Sequence, residues 1–255
     1  MSFLKINDLT QRFGGLTAVQ DVSIDLHKNV LPGLIGPNGA GKTTIFNIVC
    51  GFYHPTIGDI QFENKSIVGK RPHAITSMGI ARTFQNIRLW SEMSVLENLC
   101  ISQHASLGYG LWDAILKTPK YKIKEREVHQ SAMHLLEKLN LQDHAADRPK
   151  SLPYGMQRRV EIARALAANP KLLLLDEPAA GMNSSEVEDL IDLIRWIRKT
   201  FGITIWLIEH DMRVVMNVCE RIIVLDFGQI IADGSPEAIQ NDPKVIKAYL
   251  GNTEE

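Results

Sequence analysis

Short apolar runs alternate with helical patterns along most of the chain. Residues 30–35, 171–178 and 203–208 are dominated by apolar side chains, which is typical of strands buried on both faces of a parallel sheet. Residues 2–9 and 22–27 alternate apolar and polar side chains, which predicts half-buried antiparallel strands. From residue 86 the pattern changes to helical spacing. The sequence therefore predicts an α/β fold with a small antiparallel sheet and a helical insert.

Capping patterns predict where several helices begin. A Ser with a Glu three residues later is a capping box, and Ser or Asp before Pro is a cap followed by a proline at the first helical position. These patterns occur at Ser94/Glu97, Ser185/Glu188, Ser235/Pro236 and Asp242/Pro243. Gly202 is expected to end the second of these helices. Residues 158–166 predict a further helix, and residues 104–120 are expected to be irregular or a short helix.

A glycine-rich stretch between the first buried strand and a helix fits the phosphate-binding loop of nucleoside-triphosphatases, G-x-x-x-x-G-K-[ST]. It comprises Gly36, Pro37, Asn38, Gly39, Ala40, Gly41, Lys42, Thr43 and Thr44. The glycines let successive backbone N–H groups converge on an anion. Lys42 brings a cation to the β- and γ-phosphates, and the Thr43 hydroxyl is suited to Mg²⁺. The alternative is a glycine-rich turn that binds nothing. The strand before the loop and the helix after it make that alternative much weaker.

Two adjacent carboxylates, Asp176 and Glu177, end the buried strand at residues 171–178. The carboxyl ends of parallel strands are where α/β sheets bind their ligands. Beside a phosphate loop, Asp176 is the natural ligand of Mg²⁺ and Glu177 the natural residue to orient a water molecule.

Three other side chains are weaker candidates when each is taken alone. Gln85 and His210 end strands, where a polar side chain is more often solvated or structural. Phe13 lies in a turn-rich stretch, where it either stacks on a nucleotide base or caps the small sheet. Core packing is the commoner use of Phe.

Composition narrows the class of protein. The 255 residues are enough for one large α/β domain or two small ones, and the net charge of −1 gives no sign of a nucleic-acid partner. Cys50, Cys100 and Cys219 lack metal-ligand spacing, and their odd number argues against a disulfide framework. We therefore expect reduced thiols in a cytoplasmic protein. Without a signal-peptide pattern or a membrane-length apolar run, any membrane work is expected to depend on a partner.

The ordered set of motifs resembles the ATP-binding cassette ATPases over essentially the whole chain. It consists of the phosphate loop, Gln85, a helical insert, a Gly-containing helix start at residues 152–157, the Asp-Glu strand end and His210. The resemblance implies ATP and Mg²⁺ as cofactors and a P-loop NTPase fold with a RecA-like core. It also implies one domain over residues 1–255. The nucleotide-binding core would span about 1–85 and 160–255, and the helical subdomain about 86–160.

The same resemblance implies roles for individual residues. Phe13 matches the aromatic side chain that stacks on adenine. Gln85 matches the glutamine that touches Mg²⁺ and the attacking water and senses the transmembrane subunit. Glu177 looks like the catalytic carboxylate, and His210 like the histidine that contacts the γ-phosphate. The signature position, which in this family completes the ATP site of the opposite subunit, holds Leu152, Pro153, Tyr154, Gly155, Met156 and Gln157.

Two positions depart from the family pattern. Pro153 replaces the signature serine whose hydroxyl normally meets the γ-phosphate, and Asn183 stands where an aspartate is usual. Backbone N–H groups and the helix dipole remain at the signature, so binding there should be weakened rather than abolished. We therefore expect this subunit to work with a different cassette protein, a homodimer being the alternative.

A finer resemblance is to the LivG-type ATP-binding subunits of branched-chain amino-acid importers. It depends on R-T-F-Q-N-I-R-L at residues 82–89, L-P-Y-G-M-Q-R-R at 152–159, D-E-P-A-A-G-M-N at 176–183 and a long insert between 100 and 150. It implies permease subunits and a second cassette as partners, and indirectly a periplasmic substrate-binding protein. The protein would lie at the cytoplasmic face of the inner membrane, with residues 85–97 against a permease.

Three alternatives stay open. A soluble cassette ATPase acting on DNA or ribosomes would carry heptad-repeat arms, two cassettes or a basic surface, and the sequence shows none of these. A non-hydrolysing regulator would have lost Glu177 or His210, and both are present. The third alternative is the ATPase of an ABC system for another substrate, because the transported molecule never touches this subunit.

Overall fold

Ten strands form two sheets in the computed structural model, which describes residues 2–104 and 110–250 of the chain. The strands are β1 (Leu4–Phe13), β2 (Leu16–Leu26), β3 (Pro32–Ile35), β4 (Ile57–Phe62), β5 (Lys65–Ser66), β6 (Ile80–Arg82), β7 (Leu172–Asp176), β8 (Thr204–Ile208), β9 (Arg221–Asp226) and β10 (Gln229–Gly234). The larger sheet has the order β10-β9-β3-β8-β7-β6 and is parallel except for its edge strand β10. The smaller sheet, β2-β1-β4-β5, is antiparallel throughout.

The antiparallel strands β1 and β2 are longer than the predicted 2–9 and 22–27. They pair from Leu4 opposite Leu26 to Phe13 opposite Leu16, with three register shifts between. Each shift interrupts the alternation of inward and outward side chains, so the strand continues where the sequence pattern is lost.

The continuous apolar run of β7 supplies both faces of the larger sheet. All five of its residues are buried. Leu172 and Leu174 belong to one hydrophobic cluster, whereas Leu173 and Leu175 belong to another on the opposite face. Because successive side chains of a strand point to opposite faces, an unbroken apolar run is what a sheet with cores on both faces requires.

Helices cover these faces and form most of the region between β6 and β7. They are α1 (Lys42–Val49), α2 (Pro72–Met78), α3 (Val95–Gln103), α4 (Leu111–Ile115), α5 (Pro119–Lys138), α6 (Tyr154–Ala167), α7 (Ser184–Phe201), α8 (Met212–Val218), α9 (Pro236–Gln240) and α10 (Pro243–Leu250), with 3₁₀ turns at Gln142–His144 and Pro149–Ser151. The expected irregular stretch 104–120 contains the short α4, and its residues 105–109 lie outside the described residues. None of the helices in the described ranges has both the length and the apolarity that crossing a membrane requires.

The predicted capping box of α3 is confirmed, whereas that of α7 is wrong by two residues. The N–H of Glu97 donates to Ser94 Oγ at 3.2 Å, and the N–H of Ser94 donates to Glu97 Oε2 at 2.7 Å. In α7 the cap is Asn183, whose Oδ1 accepts from the N–H of Glu186 at 3.0 Å. Asn caps a helix as well as Ser does, so the residue that departs from the family pattern also begins this helix. Gly202 ends α7 in the left-handed conformation, as expected.

Helix α6 begins earlier than the predicted residue 158. Its first residue is Tyr154, and the N–H of Gln157 already donates to the carbonyl oxygen of Pro153 at 3.0 Å. The signature position is therefore the first turn of α6 rather than a loop that leads into it. Proline is well suited to a helix start, since its missing N–H has no partner there.

The three cysteines are free, as expected. Burial raises the pKa of the Cys50 thiol to about 11 and that of the Cys219 thiol to about 12. Thiols with such pKa values stay protonated at neutral pH and pack as small apolar side chains.

Candidate functional site

The phosphate loop connects β3 to α1 and has room only for glycine at two positions. Gly36 has a φ of 147°, and a Cβ there would lie 2.0 Å from the carbonyl oxygen of Leu225. Gly41, the residue before α1, has a φ of 105°, and a Cβ there would lie 2.5 Å from the carbonyl oxygen of Ala18. Neighbouring backbone thus restricts these two positions of the loop to glycine.

Lys42 extends along this loop. Its Nζ donates to the carbonyl oxygens of Gly36, at 2.6 Å, and Pro37, at 2.8 Å. The residue is buried, which lowers the pKa of Lys42 below its ordinary value, while the carboxylates of Glu177 and Asp176 act in the opposite direction. The ammonium group is therefore held inside the curl at the position where a phosphate-binding cation is needed.

Asp176, at the end of β7, forms a buried ion pair with Arg82 at the end of β6. Arg82 Nη2 donates to Asp176 Oδ2 at 2.5 Å, and Nη1 donates to Asn47 Oδ1 at 2.7 Å. The two charged side chains are only 4% and 3% exposed. Arg82 thus ties the Asp176 carboxylate to helix α1, which begins at the phosphate loop.

The oxygen donors expected for Mg²⁺ meet at one cavity. Thr43, Gln85 and Asp176 are among the residues that line it, and its volume is about 420 Å³. Within the described ranges, no group of three or more His, Cys, Asp or Glu side chains is arranged to hold a metal by itself. Mg²⁺ is commonly held by one or two carboxylates together with phosphates of a substrate, so this set of donors fits it.

Gln85 and Glu177 meet beside the phosphate loop. Gln85 Nε2 donates to Glu177 Oε2 at 2.8 Å. His210 Nδ1 lies 3.6 Å from the same oxygen. Glu177 has a φ of 45°, a left-handed conformation that is uncommon outside glycine, and its N–H donates to the carbonyl oxygen of Ile208 at 2.9 Å. Such backbone conformations cluster at functional sites, where the surrounding structure enforces them.

A cavity of about 250 Å³ joins the phosphate loop to this pair of side chains. Its lining comprises Ala18, residues 38–44, Gln85 and Glu177. Thr43 and Gln85 line both this cavity and the one that holds Asp176. The structure therefore brings most of the predicted phosphate, metal and catalytic side chains into one continuous region.

Glu209, which precedes His210, is fully buried and holds the loop after Glu177. Its Oε1 accepts from the N–H of Ala179 at 2.7 Å, and its Oε2 accepts from the N–H groups of His210, at 2.9 Å, and Asp211, at 3.2 Å. Burial raises the pKa of Glu209 above its ordinary value, and these N–H groups act in the opposite direction. One carboxyl group thus joins the loop that follows Glu177 to the loop that contains His210.

The signature residues 152–157 lie apart from the phosphate loop of their own chain. Pro153, Gly155 and Met156 line a different cavity of about 180 Å³, together with residues of α7 such as Glu186. Gln157 Nε2 donates to the carbonyl oxygen of Leu152 at 2.9 Å. The first turn of α6 has no side-chain cap, so its free N–H groups remain available to an outside acceptor.

Phe13 also lies outside the two cavities at the phosphate loop. It ends β1, is 42% exposed and meets the ring of Tyr53 edge-on, with 5.2 Å between centroids. Tyr53 in turn lines the cavity that contains Thr43. Phe13 is absent from both buried hydrophobic clusters, so packing in the core does not account for it.

The family model described as ABC transporter matches residues 19–180, a span that includes the phosphate loop, Gln85, the start of α6 and Glu177. The chain belongs to the ABC transporter family. A second model, described as branched-chain amino acid ATP-binding cassette transporter, matches residues 229–255.

Individual relatives of this ABC cassette agree with the family match. The chain is 47% identical over 97% of both sequences to the Escherichia coli K12 high-affinity branched-chain amino acid transport ATP-binding protein LivG. It resembles the crystal structure of a nucleotide-free ATP-binding cassette from an ABC transporter, with a TM-score of 0.85, 36% identity and coverage of 98% of this chain and 99% of that one. A dimeric cassette bound to ADP and Pi in a post-hydrolysis state has a TM-score of 0.76, 26% identity and coverage of 91% and 98%. The predicted P-loop NTPase fold is confirmed.

Sequence reasoning missed several charged residues of this cassette. Four charged residues were given no role of their own. They are Arg82, which pairs with Asp176, Glu209, which precedes His210 and accepts from Ala179, and the buried pair Arg158 and Glu161 on α6. A signal was present for the last pair, because two charged residues three apart occur on a helix face that is otherwise apolar. The contacts of Arg82 with Asp176 and of Arg158 with Gln85 join residues far apart in sequence, so no local pattern could identify them.

Proposed function

We propose that this chain is the ATP-hydrolysing subunit of an importer for branched-chain amino acids. The observation that carries the proposal is the convergence of the phosphate loop, Gln85 and Glu177 on one cavity. The substrate class is supported by the 47% identity to LivG of Escherichia coli and by the match of residues 229–255 to the branched-chain amino acid transporter model. In this proposal the permeases, rather than this chain, would carry the transported molecule.

In the proposed reaction, the phosphate loop binds the nucleotide through its backbone N–H groups and through Lys42. Thr43, Asp176 and Gln85 would hold Mg²⁺, which when bound neutralises charge on the phosphate oxygens. Glu177 orients and polarises the attacking water, and the 2.8 Å hydrogen bond from Gln85 fixes the direction of its carboxylate. His210, 3.6 Å from Glu177, would contact the γ-phosphate. Phe13 would stack on the adenine ring.

Replacement of the Glu177 carboxylate tests the hydrolytic half of the proposal. Glu177→Gln keeps the size of the side chain but polarises water poorly, so ATP binding should stay near that of the parent while turnover falls by roughly 100-fold or more. ATP binding and hydrolysis would be measured with the assembled transporter. Turnover within about threefold of the parent would contradict the role of Glu177.

Uptake of radiolabelled leucine by vesicles that contain the assembled transporter tests the substrate class. Leucine, isoleucine and valine should compete for uptake, whereas a basic amino acid should not. ATP-dependent uptake of an unrelated solute in place of leucine would contradict the substrate while leaving the ATPase role intact.

The separation of residues 152–157 from the phosphate loop supports a second cassette as partner. The signature of one subunit would close the ATP site of the other, as expected of the family. Without the serine hydroxyl at Pro153, the site closed by this chain lacks one charge-assisted hydrogen bond, on the order of 1.5–3 kcal/mol. We therefore propose a heterodimer with a different cassette protein, in which the phosphate loop of this chain forms the faster site.

Inactivation of one phosphate loop at a time tests this asymmetry. Lys42→Ala in this chain should reduce transport more than the equivalent change in the partner cassette. Equal losses would contradict the asymmetry, and full transport with this cassette alone would contradict the heterodimer.

The permease contact is proposed for residues 85–97, which connect the nucleotide site to α3. Trp90, 57% exposed, is the large apolar side chain best placed to meet a partner there. Cross-links from Trp90 or Arg88 to a permease would support it, and their absence from a functional complex would contradict it. Such contacts would hold the protein at the cytoplasmic face of the membrane, with a periplasmic binding protein delivering the substrate. The division into a core (about 1–85 and 160–255) and a helical subdomain (about 86–160) is part of the same proposal.

A further inference from the structure

A fully buried arginine joins the signature helix α6 to the segment that carries Gln85. Arg158 has an exposed fraction of 0%. Its Nη1 donates to the carbonyl oxygen of Phe84 at 2.6 Å, and its Nη2 donates to the carbonyl oxygen of Gln85 at 2.7 Å. The planar guanidinium group thus donates to two consecutive carbonyl groups next to the catalytic region.

The ion-pair partner of Arg158 grips the same segment through different atoms. Glu161, also fully buried, accepts Nη1 of Arg158 on Oε2 at 2.7 Å. Its Oε1 accepts from the N–H groups of Phe84, at 3.3 Å, and Arg88, at 3.2 Å. Residues 84–88 are therefore held on both their donors and their acceptors by two side chains of one helix turn.

Stability alone is a weak explanation for this pair. Two buried charges lose their hydration, and apolar side chains of similar volume often stabilise a core equally well. What apolar side chains cannot do is fix the carbonyl groups of Phe84 and Gln85 in a set direction. The pair thus makes the position of the Gln85 backbone depend on the position of α6.

The first residue of α6 connects this pair to the signature. The hydroxyl of Tyr154 accepts from Arg158 Nη2 at 3.2 Å. On its other side the ring packs on Gly181, where a Cβ would lie 3.4 Å from Tyr154 Cε1. Tyr154 is 41% exposed and belongs to the signature, so it contacts Arg158, the loop after Glu177 and the outside of the protein.

We propose that Arg158 is a positioning residue that transmits the position of Tyr154 to Gln85, and through the Gln85–Glu177 hydrogen bond to the catalytic carboxylate. Docking of the signature on a nucleotide held by a second cassette then sets the geometry of this chain's own catalytic site. The inference deepens the proposed function and rests on it for the second cassette. The hydrogen-bonded path itself, from Tyr154 through Arg158 to Gln85 and Glu177, lies within one chain.

The first test replaces the guanidinium fork by a single ammonium group. In the assembled transporter, Arg158→Lys should lower kcat for ATP hydrolysis by about tenfold or more, while KM for ATP stays within about twofold, since the phosphate loop is untouched. The matched control is Arg159→Lys, because the neighbouring Arg159 donates to Leu139 and not to residues 84–88. A kcat for Arg158→Lys within about twofold of this control, or a rise in KM that accounts for the loss, would overturn the proposal.

The second test asks whether Tyr154 and Arg158 act through one link. If they do, the double variant Tyr154→Phe/Arg158→Lys should have a kcat within about twofold of Arg158→Lys alone. Losses that multiply would show two independent effects and would overturn the transmission.

Hydrogen exchange separates this inference from the proposed function, because it requires no catalysis. Removing the Tyr154 hydroxyl should speed amide exchange of residues 84–88 by about threefold or more, and Arg158→Lys by about tenfold or more. Unchanged exchange in Tyr154→Phe would overturn the link even in an active transporter. If Tyr154→Phe speeds exchange of residues 84–88 but the wild-type transporter has no ATPase activity, the link is supported and the proposed function is contradicted.

Discussion

Two helix starts of this cassette are suited to the same task but are held in place by different means. Helix α1 begins at Lys42 within the phosphate loop and α6 begins at Tyr154 within the signature, and neither has a side-chain cap or an acidic residue in its first turn. Both therefore present free N–H groups and the positive end of a helix dipole to an anion. In contrast, α3, α7 and α9 are capped by their own side chains.

The difference lies in what holds each helix start. Neighbouring backbone atoms fix the phosphate loop, which is why glycines are needed at its turns. Side chains hold the start of α6: Arg158 below it and Tyr154 against the loop after Glu177. A loop confined by backbone atoms has little room to shift. A helix start held by side chains can pass a displacement of the helix on to the residues that those side chains contact. Under the proposed function, the altered signature could therefore still influence hydrolysis at this chain's own phosphate loop.

The largest effect is expected at the phosphate loop, which neighbouring backbone confines. Gly36→Ala would place a Cβ 2.0 Å from the carbonyl oxygen of Leu225, so the loop must shift and ATP binding should weaken by roughly 100-fold or more. Binding of a fluorescent ATP analogue measures this. The control is Gly39→Ala, since Gly39 has a φ of 81° but no atom within 4 Å of an added Cβ. Its loss should stay below about tenfold, and equal losses for the two variants would contradict the steric account.

An intermediate effect is expected at Glu209, the side chain that fixes the loops around Glu177. Glu209→Gln replaces one acceptor oxygen by an NH₂ group that faces an N–H donor, which should lower the free energy of unfolding by about 1–3 kcal/mol. Burial raises the pKa of the folded Glu209 carboxyl above 4.5. The contribution of the wild-type carboxyl is therefore complete below pH 4.5 and is lost as the pH rises through the folded pKa.

Urea unfolding of both proteins at about pH 5 and about pH 8 checks this sign. The stability gap between the wild type and Glu209→Gln should narrow at the higher pH. A gap that widens would show that the three N–H groups outweigh burial at this carboxyl.

The smallest effect is expected at the start of α6. A Cβ on Gly155 would lie 2.7 Å from Glu186 Oε1, the end of a flexible side chain, so Glu186 moves and its capping box with Asn183 is lost. Gly155→Ala should then cost roughly 0.5–2 kcal/mol in the free energy of unfolding. In a Glu186→Ala background the same change should cost much less. A cost of about 3 kcal/mol or more, the free-energy equivalent of the roughly 100-fold change expected for Gly36→Ala, would show that α6, too, is fixed by backbone contacts.

Elements whose chemistry is local could be predicted from the amino-acid sequence. The phosphate loop occupies nine consecutive residues, and its glycines, lysine and threonine have the same meaning in any strand-loop-helix context. Unbroken apolar runs are typical of buried parallel strands, so the strand end that bears Asp176 and Glu177 was also predictable. Helix starts were predicted where the cap was a serine and missed at Asn183, because several residue types cap equally well.

Which charged groups meet depends on how the chain folds, and could not be predicted from the sequence. Arg82 and Asp176 are 94 residues apart, and Arg158 is 73 residues from Gln85. No periodicity spans such distances, since these contacts exist only because parallel strands end at one edge and α6 packs beside it. A buried charged side chain needs a partner of opposite charge or a hydrogen-bonding group. The residues beside it in the sequence do not show which residue that partner is. The candidate catalytic residues could therefore be proposed from the sequence, whereas the residues that hold them could not.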